Sequence, residues 1–231
     1  MAYFRDLYLR LRDACPGDCP LCGLSARGGM PCAPCWRDVR RQTPARQRSA
    51  QEGLVADLRL DSLCVALDYA APFDALMLQF KGRRRLGLAG LMAMALVRAH
   101  RARRGMGDCD GGVIVVPVPS SRASLRRRGF NPAGEVARHF AWRQGWPLWL
   151  GGLVRTREHS QQHFADRRSR LHNTQALYRA DVQVHDRVIM LIDDVVTTGS
   201  TLSSAAQALY QAGAAEVHGL AVARTPMAAL P

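Results

Sequence analysis

Residues 188–202 read Val-Ile-Met-Leu-Ile-Asp-Asp-Val-Val-Thr-Thr-Gly-Ser-Thr-Leu. Val188 to Ile192 form the uninterrupted apolar run expected of a strand buried on both faces, which places Asp193 and Asp194 where that strand ends. Downstream, Leu202, Ala205, Ala206 and Leu209 recur at helical spacing and Gly213 supplies a stop. Thr197 to Thr201 therefore fall at a helix N-terminus, whose free N–H groups favour a phosphate. Ligands of open α/β sheets sit outside the carboxyl ends of the strands. The stretch thus predicts an α/β fold whose strand end carries a phosphosugar site. A plain strand-to-helix turn capped by Asp and Thr accounts for one such residue, not for the whole series.

The same stretch resembles the phosphoribosyl diphosphate (PRPP) motif of type I phosphoribosyltransferases: two acids, two apolar residues, then a hydroxyl- and glycine-containing loop ending in Ser or Thr. The resemblance implies that Asp193 and Asp194 accept hydrogen bonds from the ribose hydroxyls, while Thr197, Thr198, Gly199, Ser200 and Thr201 hold the 5-phosphate. It further implies displacement of diphosphate from the anomeric carbon. Magnesium would bridge diphosphate and ribose oxygens, and the two acids would orient the sugar and stabilise its cationic transition state. Purine-salvage members commonly carry an acid at the first loop position; Thr197 stands there, and its hydroxyl is no general base at neutral pH. The acceptor stays open.

With 231 residues, 48% of them hydrophobic, the chain can bury one substantial α/β core and carry a small appendage. The longest nearly apolar stretch, Leu86 to Val97, is too short to span a bilayer and is flanked by Arg83, Arg84, Arg85 and Arg98, so it reads as a buried or half-buried helix. At the N-terminus Phe4, Leu7, Tyr8 and Leu11 recur at helical spacing, but Arg5, Asp6, Arg10 and Arg12 interrupt any signal-peptide core. The expectation is a cytoplasmic protein without membrane insertion. The formal charge is +13, and Lys81 is the only lysine among 32 basic residues. Replacing lysine by arginine explains no excess of sign. Arginine clusters at 83–85, 101–104, 126–128 and 167–170 suit a polyanion, or else keep solvated helix faces soluble.

Cys19-Pro-Leu-Cys22 and Cys32-Ala-Pro-Cys35 are two C-x-x-C pairs separated by nine residues that include Gly23, Gly28, Gly29 and Pro31. This is the sequence form of a structural four-thiolate zinc site, each pair clamping one side of a tetrahedral ion. Too few apolar residues flank it for unaided folding, so metal would supply the folding energy. Disulfides are the alternative, disfavoured in a reducing compartment. Cys15 is a spare, and Cys64 and Cys109 read as isolated thiols.

Residues 36–61 read as helix and linker, 63–69 as a strand, 73–80 as a short helix ending near Lys81-Gly82, and 86–103 as a longer helix. Val113 to Val116 form the next strand. It runs into Pro117-Val118-Pro119-Ser120-Ser121-Arg122, a stiff turn, then Arg126-Arg127-Arg128-Gly129-Phe130-Asn131-Pro132. A helix over 132–143 follows, with Asn131 as N-cap and Pro132 in its first position. In a parallel sheet the two strand ends lie on one edge. There a diphosphate would find N–H donors and positive charge in the second loop, at Pro117, Val118, Pro119, Ser120 and Arg122, unless its arginines merely coat a surface turn.

CxxC…CxxC, the Pro-Val-Pro strand end, the arginine run with Gly-Phe-Asn, Leu-Val-Arg-Thr-Arg with Gln and a later Asn, and the PRPP motif together resemble the ComF/GntX family over about Cys19 to Arg224. That resemblance implies a type I phosphoribosyltransferase-like parallel-sheet core (49–231) behind an N-terminal helix and zinc-finger segment (1–48), and a link to natural competence for DNA uptake. A mobile loop over the site corresponds to Arg155–Asn173, with Arg155, Gln161 or Gln162, Arg170 and Asn173 as its matched residues. His159 and His163 also lie in it; they are loop residues or reach a substrate. Two functions follow: a phosphoribosyltransferase using Mg-PRPP, and an accessory that binds single-stranded DNA through Arg126, Arg127, Arg128, Arg167 and Arg168, alongside DNA-uptake or recombination proteins. A PRPP-sensing regulator is a third. Aromatic content of 6% leaves few rings (Trp36, Phe130, Trp142, Trp146, Trp149) for base stacking.

Overall fold

The computed structural model describes residues 15–28, 30–41, 58–102, 112–156, 177–180 and 184–225. Two three-residue strands, β1 (Pro16–Asp18) and β2 (Ser25–Arg27), pair antiparallel and lead into helix α1 (Ala33–Arg41). The main unit then runs β3 (Ser62–Asp68), α2 (Phe73–Gly82), α3 (Leu88–Ala102), β4 (Val113–Pro117), α4 (Arg122–Arg128), α5 (Pro132–Gln144), β5 (Leu153–Arg155), β6 (Tyr178–Ala180), β7 (Val188–Val196), α6 (Ser200–Gln211) and β8 (Glu216–Arg224).

β3, β8, β7 and β4 pair in that order into a four-stranded, wholly parallel sheet. The middles of its strands are apolar because helices cover both faces. Along β7, Met190 and Ile192 enter one core with Cys64, Ala66, Val115, Leu220 and Val222, under α2, α3 and α5. Ile189 and Leu191 enter the other with Leu63, Val65, Ile114 and Val116, under Leu202, Ala205, Ala206 and Leu209 of α6. The small β5–β6 pair lies on the α6 side, where Leu153 and Tyr178 join that second core. The helices that follow β4 and β7 thus lie on opposite faces of the sheet, and strands whose connections diverge in this way open a crevice at their carboxyl ends. β4 and β7 are neighbours, with Pro117 opposite Ile192, so both predicted loops leave the sheet at this crevice.

Most predicted elements are present within two residues of their expected bounds. Three differ. Strand β7 does not stop before the acids but carries Asp193 and Asp194 inside it, with Asp193 opposite Ala221 and Val196 opposite Arg224. The stretch after the Pro-Val-Pro turn is a helix, α4, started by Ser121, whose side chain accepts from Ser124 N at 3.2 Å, and ended by Gly129 at φ 82°. Asn131 occupies the N-cap position of α5, but its side chain makes no cap bond. It donates to Val118 O at 3.0 Å and accepts from Ser120 Oγ at 2.9 Å, tying the β4 loop to the start of α5. The expected helix near residues 4–11, most of the expected linker, and Cys109 lie outside the described residues.

Candidate functional site

Successive strand residues point to opposite faces, so the two acids of β7 divide. Asp194 takes the α2 side and meets Lys81 at the end of that helix, Nζ to Oδ2 2.6 Å, with side chains 29% and 16% exposed. Asp193 is buried, and its Oδ1 accepts from Asp194 N at 2.8 Å; Asp194 Oδ1 accepts from Val195 N at 2.9 Å. The electrostatics split accordingly. Burial, then the neighbouring Asp194 charge, hold Asp193 well above the usual carboxylate range. Burial also opposes ionisation of Asp194, but the Lys81 ammonium overrides it and holds that carboxyl below its ordinary value. The two acids thus differ in acidity, and the lysine ammonium balances the charge of Asp194.

Around the acids a cleft is lined by Val118, Pro119, Ser120 and Ser121 from the β4 loop, Ser124 and Arg128 from α4, Asn131, Arg155, Tyr178 and Thr201. Of the predicted phosphate loop, Thr201 reaches the cleft. Thr197, Thr198 and Ser200 are exposed at the start of α6, where Thr198 Oγ1 donates to Ser200 Oγ at 3.2 Å. Gly199 adopts φ 79°, and a Cβ there would come within 2.5 Å of Leu58 Cδ1. Only glycine can turn the chain here. Of the predicted diphosphate loop, Val118, Pro119 and Ser120 line the cleft, whereas Pro117 ends β4 and Arg122 starts α4 outside it.

Arg155 belongs to the cleft wall, its guanidinium 5.8 Å from the centre of the Tyr178 ring. The Tyr178 hydroxyl is buried without a hydrogen-bond partner among the described residues, and burial pushes its pKa up. Gln161, Gln162, Arg170 and Asn173 of the expected lid, with His159, His163, Arg167 and Arg168, lie outside the described residues. Sequence reasoning missed Lys81, Ser121, Ser124, Asn131 and Tyr178 as cleft residues. Of these, Lys81 carried a signal, being the chain's single lysine.

Arg126, Arg127 and Arg128 form the last turn of α4, and the loop after α2 docks on them: Arg84 Nη2 donates to Arg127 O at 3.5 Å. Two arginine clusters far apart in sequence therefore meet beside the cleft. Four of the five candidate rings are drawn into packing, Trp36, Phe130 and Trp146 against one core and Trp149 against the other.

At the other end, the Sγ atoms of Cys19, Cys22, Cys32 and Cys35 lie within 4.8 Å of one another. Cys22 and Cys32 Sγ are 3.7 Å apart, against about 3.8 Å for the edge of a tetrahedron with Zn–S near 2.3 Å. The first pair sits on a turn closed by Cys19 N to Leu24 O (2.7 Å) and Gly23 N to Cys19 O (2.9 Å); the second brackets the start of α1. Cys32 N donates to Cys19 Sγ at 3.3 Å. Despite burial, such backbone donors bring the Cys19 thiol down to about 6, whereas the sulfurs of Cys32 and Cys22 push Cys35 up. Four crowded thiols cannot all ionise without a cation among them, and the donor set suits zinc. The knuckle docks on the main unit through Gln79 Nε2 to Pro20 O (2.6 Å) and through Leu21, Met30, Trp36 and Val39. No helix among the described residues is long and apolar enough to cross a membrane.

Comparison with known proteins agrees with this architecture. The phosphoribosyl transferase domain family matches residues 123–230. The DNA utilization protein YhgH of Escherichia coli O157:H7 is 32% identical over 216 residues, 90% of this chain and 84% of that protein. Its namesake from Salmonella typhi is 32% identical over 215 residues, with the same coverage. Competence protein F of Haemophilus influenzae is 26% identical over 168 residues, 71% of this chain and 73% of the relative.

Proposed function

We propose, for a chain that belongs to the ComF family of phosphoribosyltransferase-fold proteins, that the cleft binds a phosphosugar of the PRPP class and that the protein serves the uptake or use of DNA. One observation carries the first part: the acid pair, the N-terminus of α6 and the Val118–Ser121 loop converge on a single crevice at adjacent parallel strand ends. The α6 N-terminus, entered through Gly199, suits the 5-phosphate. The acids suit hydroxyls, and Ser120, Ser121, Ser124 and Arg128 offer hydroxyl donors and one cation to a group on the anomeric carbon. If the ligand reacts, it does so as a phosphoribosyl donor, with Asp193 and Asp194 orienting the ribose and stabilising charge on its ring. The names of the relatives support the second part.

Magnesium, which the fold family implies together with PRPP, does not fit the acid pair as its protein ligand set. Asp194 Oδ2 is taken by Lys81, one oxygen of each acid accepts a backbone N–H, and burial opposes a charge on Asp193. Divalent magnesium needs anionic oxygens in near-octahedral array. Zinc does fit the four thiolates, where it would supply folding energy to the segment we assign to 1–48, ahead of the core at 49–231. Thiolate ligands persist in a reducing compartment, so we place the protein in the cytoplasm.

Calorimetry and thermal shift with PRPP and with ribose 5-phosphate test the cleft: a bound ligand raises Tm by mass action. Asp193→Asn combined with Asp194→Asn should remove the shift and keep the fold. An equal shift in this variant refutes the assignment.

A second reading, binding of single-stranded DNA, is favoured by the contact between the Arg84 loop and the Arg126–Arg128 turn. With most rings packed inward, contacts would fall on phosphates, so affinity should drop steeply with salt and depend little on sequence. Neutralising Arg126, Arg127 and Arg128 should flatten the salt slope by roughly 0.7 for each phosphate that the protein no longer neutralises. Absence of oligonucleotide binding at low salt would dismiss this reading, leaving the charge as a solubility feature. DNA-uptake or recombination proteins are the expected partners.

A further inference from the structure

We infer that Lys81 is the cation resident at the acid pair of the cleft: held by Asp194, its ammonium binds the anionic group on the anomeric carbon of the phosphosugar, so that the site prefers a 1-diphosphate over a bare sugar phosphate without a divalent ion. This rests on the phosphosugar reading above and adds the group that discriminates among its ligands.

Four observations meet at this residue. Lys81 lines the cleft and is partly exposed, so its ammonium, which has three donors, can serve a ligand while one donor holds Asp194 Oδ2 at 2.6 Å. Its place in the fold sets which part of a ligand it meets. The end of α2 is docked on the β4-loop side, with the Phe80 and Phe130 rings 5.4 Å apart and Arg84 bonded to Arg127 O. The helix start suited to the 5-phosphate packs on the opposite face of β7. A ribose lying across the acids with its 5-phosphate at α6 therefore turns its C1 substituent toward Lys81 and the Val118–Ser121 loop.

The third observation is residue type. Among 32 basic residues this one alone is lysine. A compact point charge on a thin stem can reach between a carboxylate and a ligand oxygen, where a planar guanidinium would need a fork-shaped partner. The fourth is charge balance: Lys81 sits 2.6 Å from Asp194 and burial opposes a charge on Asp193, so the pair that would anchor a divalent ion is occupied by a monovalent one. On this reading Asp194 positions the ammonium as well as accepting a hydroxyl.

The experiment is calorimetry with PRPP and with ribose 5-phosphate, each in EDTA and in magnesium chloride, on the full chain and two variants. Lys81→Gln removes the charge. Lys81→Gln with Asp194→Asn removes both partners and leaves no unpaired carboxylate, which protects against misfolding. In EDTA the unmodified protein should bind PRPP about 10- to 100-fold more tightly than ribose 5-phosphate, the range of one charge-assisted hydrogen-bonded group. Magnesium should change that ratio less than about 3-fold, and both variants should lower it by about 10-fold, leaving the share that Arg128 contributes. A preference that arises only with magnesium, or that is undiminished in either variant, overturns the inference while leaving phosphosugar binding intact. Failure of the unmodified protein to bind either ligand instead refutes the phosphosugar reading, and the inference falls with it.

Discussion

Neutralising the two neighbouring acids should change stability with opposite sign. Asp193→Asn keeps an oxygen where Asp194 N needs an acceptor, at 2.8 Å, and replaces a carboxyl whose ionisation burial opposes. In the unfolded chain this carboxyl ionises near its ordinary value of about 3.9. A raised folded pKa means the native state keeps a proton that the unfolded state gives up, so stability falls as pH rises from about 3.9 toward the folded pKa. The asparagine variant lacks that loss. It should gain on the parent through this window and hold the gain at higher pH, with any packing cost below about 0.5 kcal/mol. Asp194 has a lowered folded pKa, so its contribution is present above about 3.9 and is lost as pH falls through the folded value.

At neutral pH Asp194→Asn strands Lys81. Because Lys81 is 29% exposed and can rehydrate, the cost lies between that of surface and of buried pairs, about 1–2 kcal/mol. That corresponds to roughly 2–8 °C in Tm for a chain of this size. Lys81→Met should cost a similar amount, and the double variant less than the sum, with a coupling of about 1–2 kcal/mol. Thermal and urea unfolding at pH 4.5, 6 and 7.5 measure all of this. Equal losses for Asp193→Asn and Asp194→Asn, or differences that do not move with pH, would refute the division of charge between the acids.

Purified without chelator, the protein should carry one zinc per chain by metal analysis, and Cys22→Ser or Cys35→Ser should lose both the metal and protection of the knuckle from proteolysis; a mapped Cys19–Cys22 disulfide would count against this. Gly199→Ala forces a Cβ onto Leu58 at a φ of 79°, so it should cost about 1–3 kcal/mol and abolish any ligand-induced Tm shift, while Leu58→Ala in the same chain should relieve the clash but not the backbone strain. His100 is buried beside Phe140 and Trp146, its Nδ1 lacking a partner among the described residues, and burial followed by His218 and Arg101 depresses its pKa. Its neutral form is favoured by folding, so stability is present above the unfolded value of about 6.5 and is lost as pH falls below it. His100→Phe should flatten that part of the Tm–pH curve; an unchanged slope would place the acid sensitivity elsewhere.

The parallel sheet, its helices and the thiolate knuckle were legible in the sequence because their signals are local. An apolar run of strand length, apolar residues three and four apart, and two C-x-x-C pairs each specify their element through nearest neighbours on the chain. The position of the loops at one sheet edge followed as well, since parallel strands must present their carboxyl ends together. The short helix α4 escaped because its polar, arginine-rich seven residues carry no apolar periodicity and bury none of their side chains. Only the tertiary structure decided the state of the acid pair. Asp193 and Asp194 are adjacent and identical in type, yet one sits buried with its pKa pushed up while the other faces a lysine. That asymmetry depends on which face of β7 each residue takes and on α2 ending against the turn between α4 and α5 through Phe80 and Phe130. Lys81 and Asp194 are joined by packing between elements, and electrostatic energy depends on distance and burial in space rather than on separation along the chain.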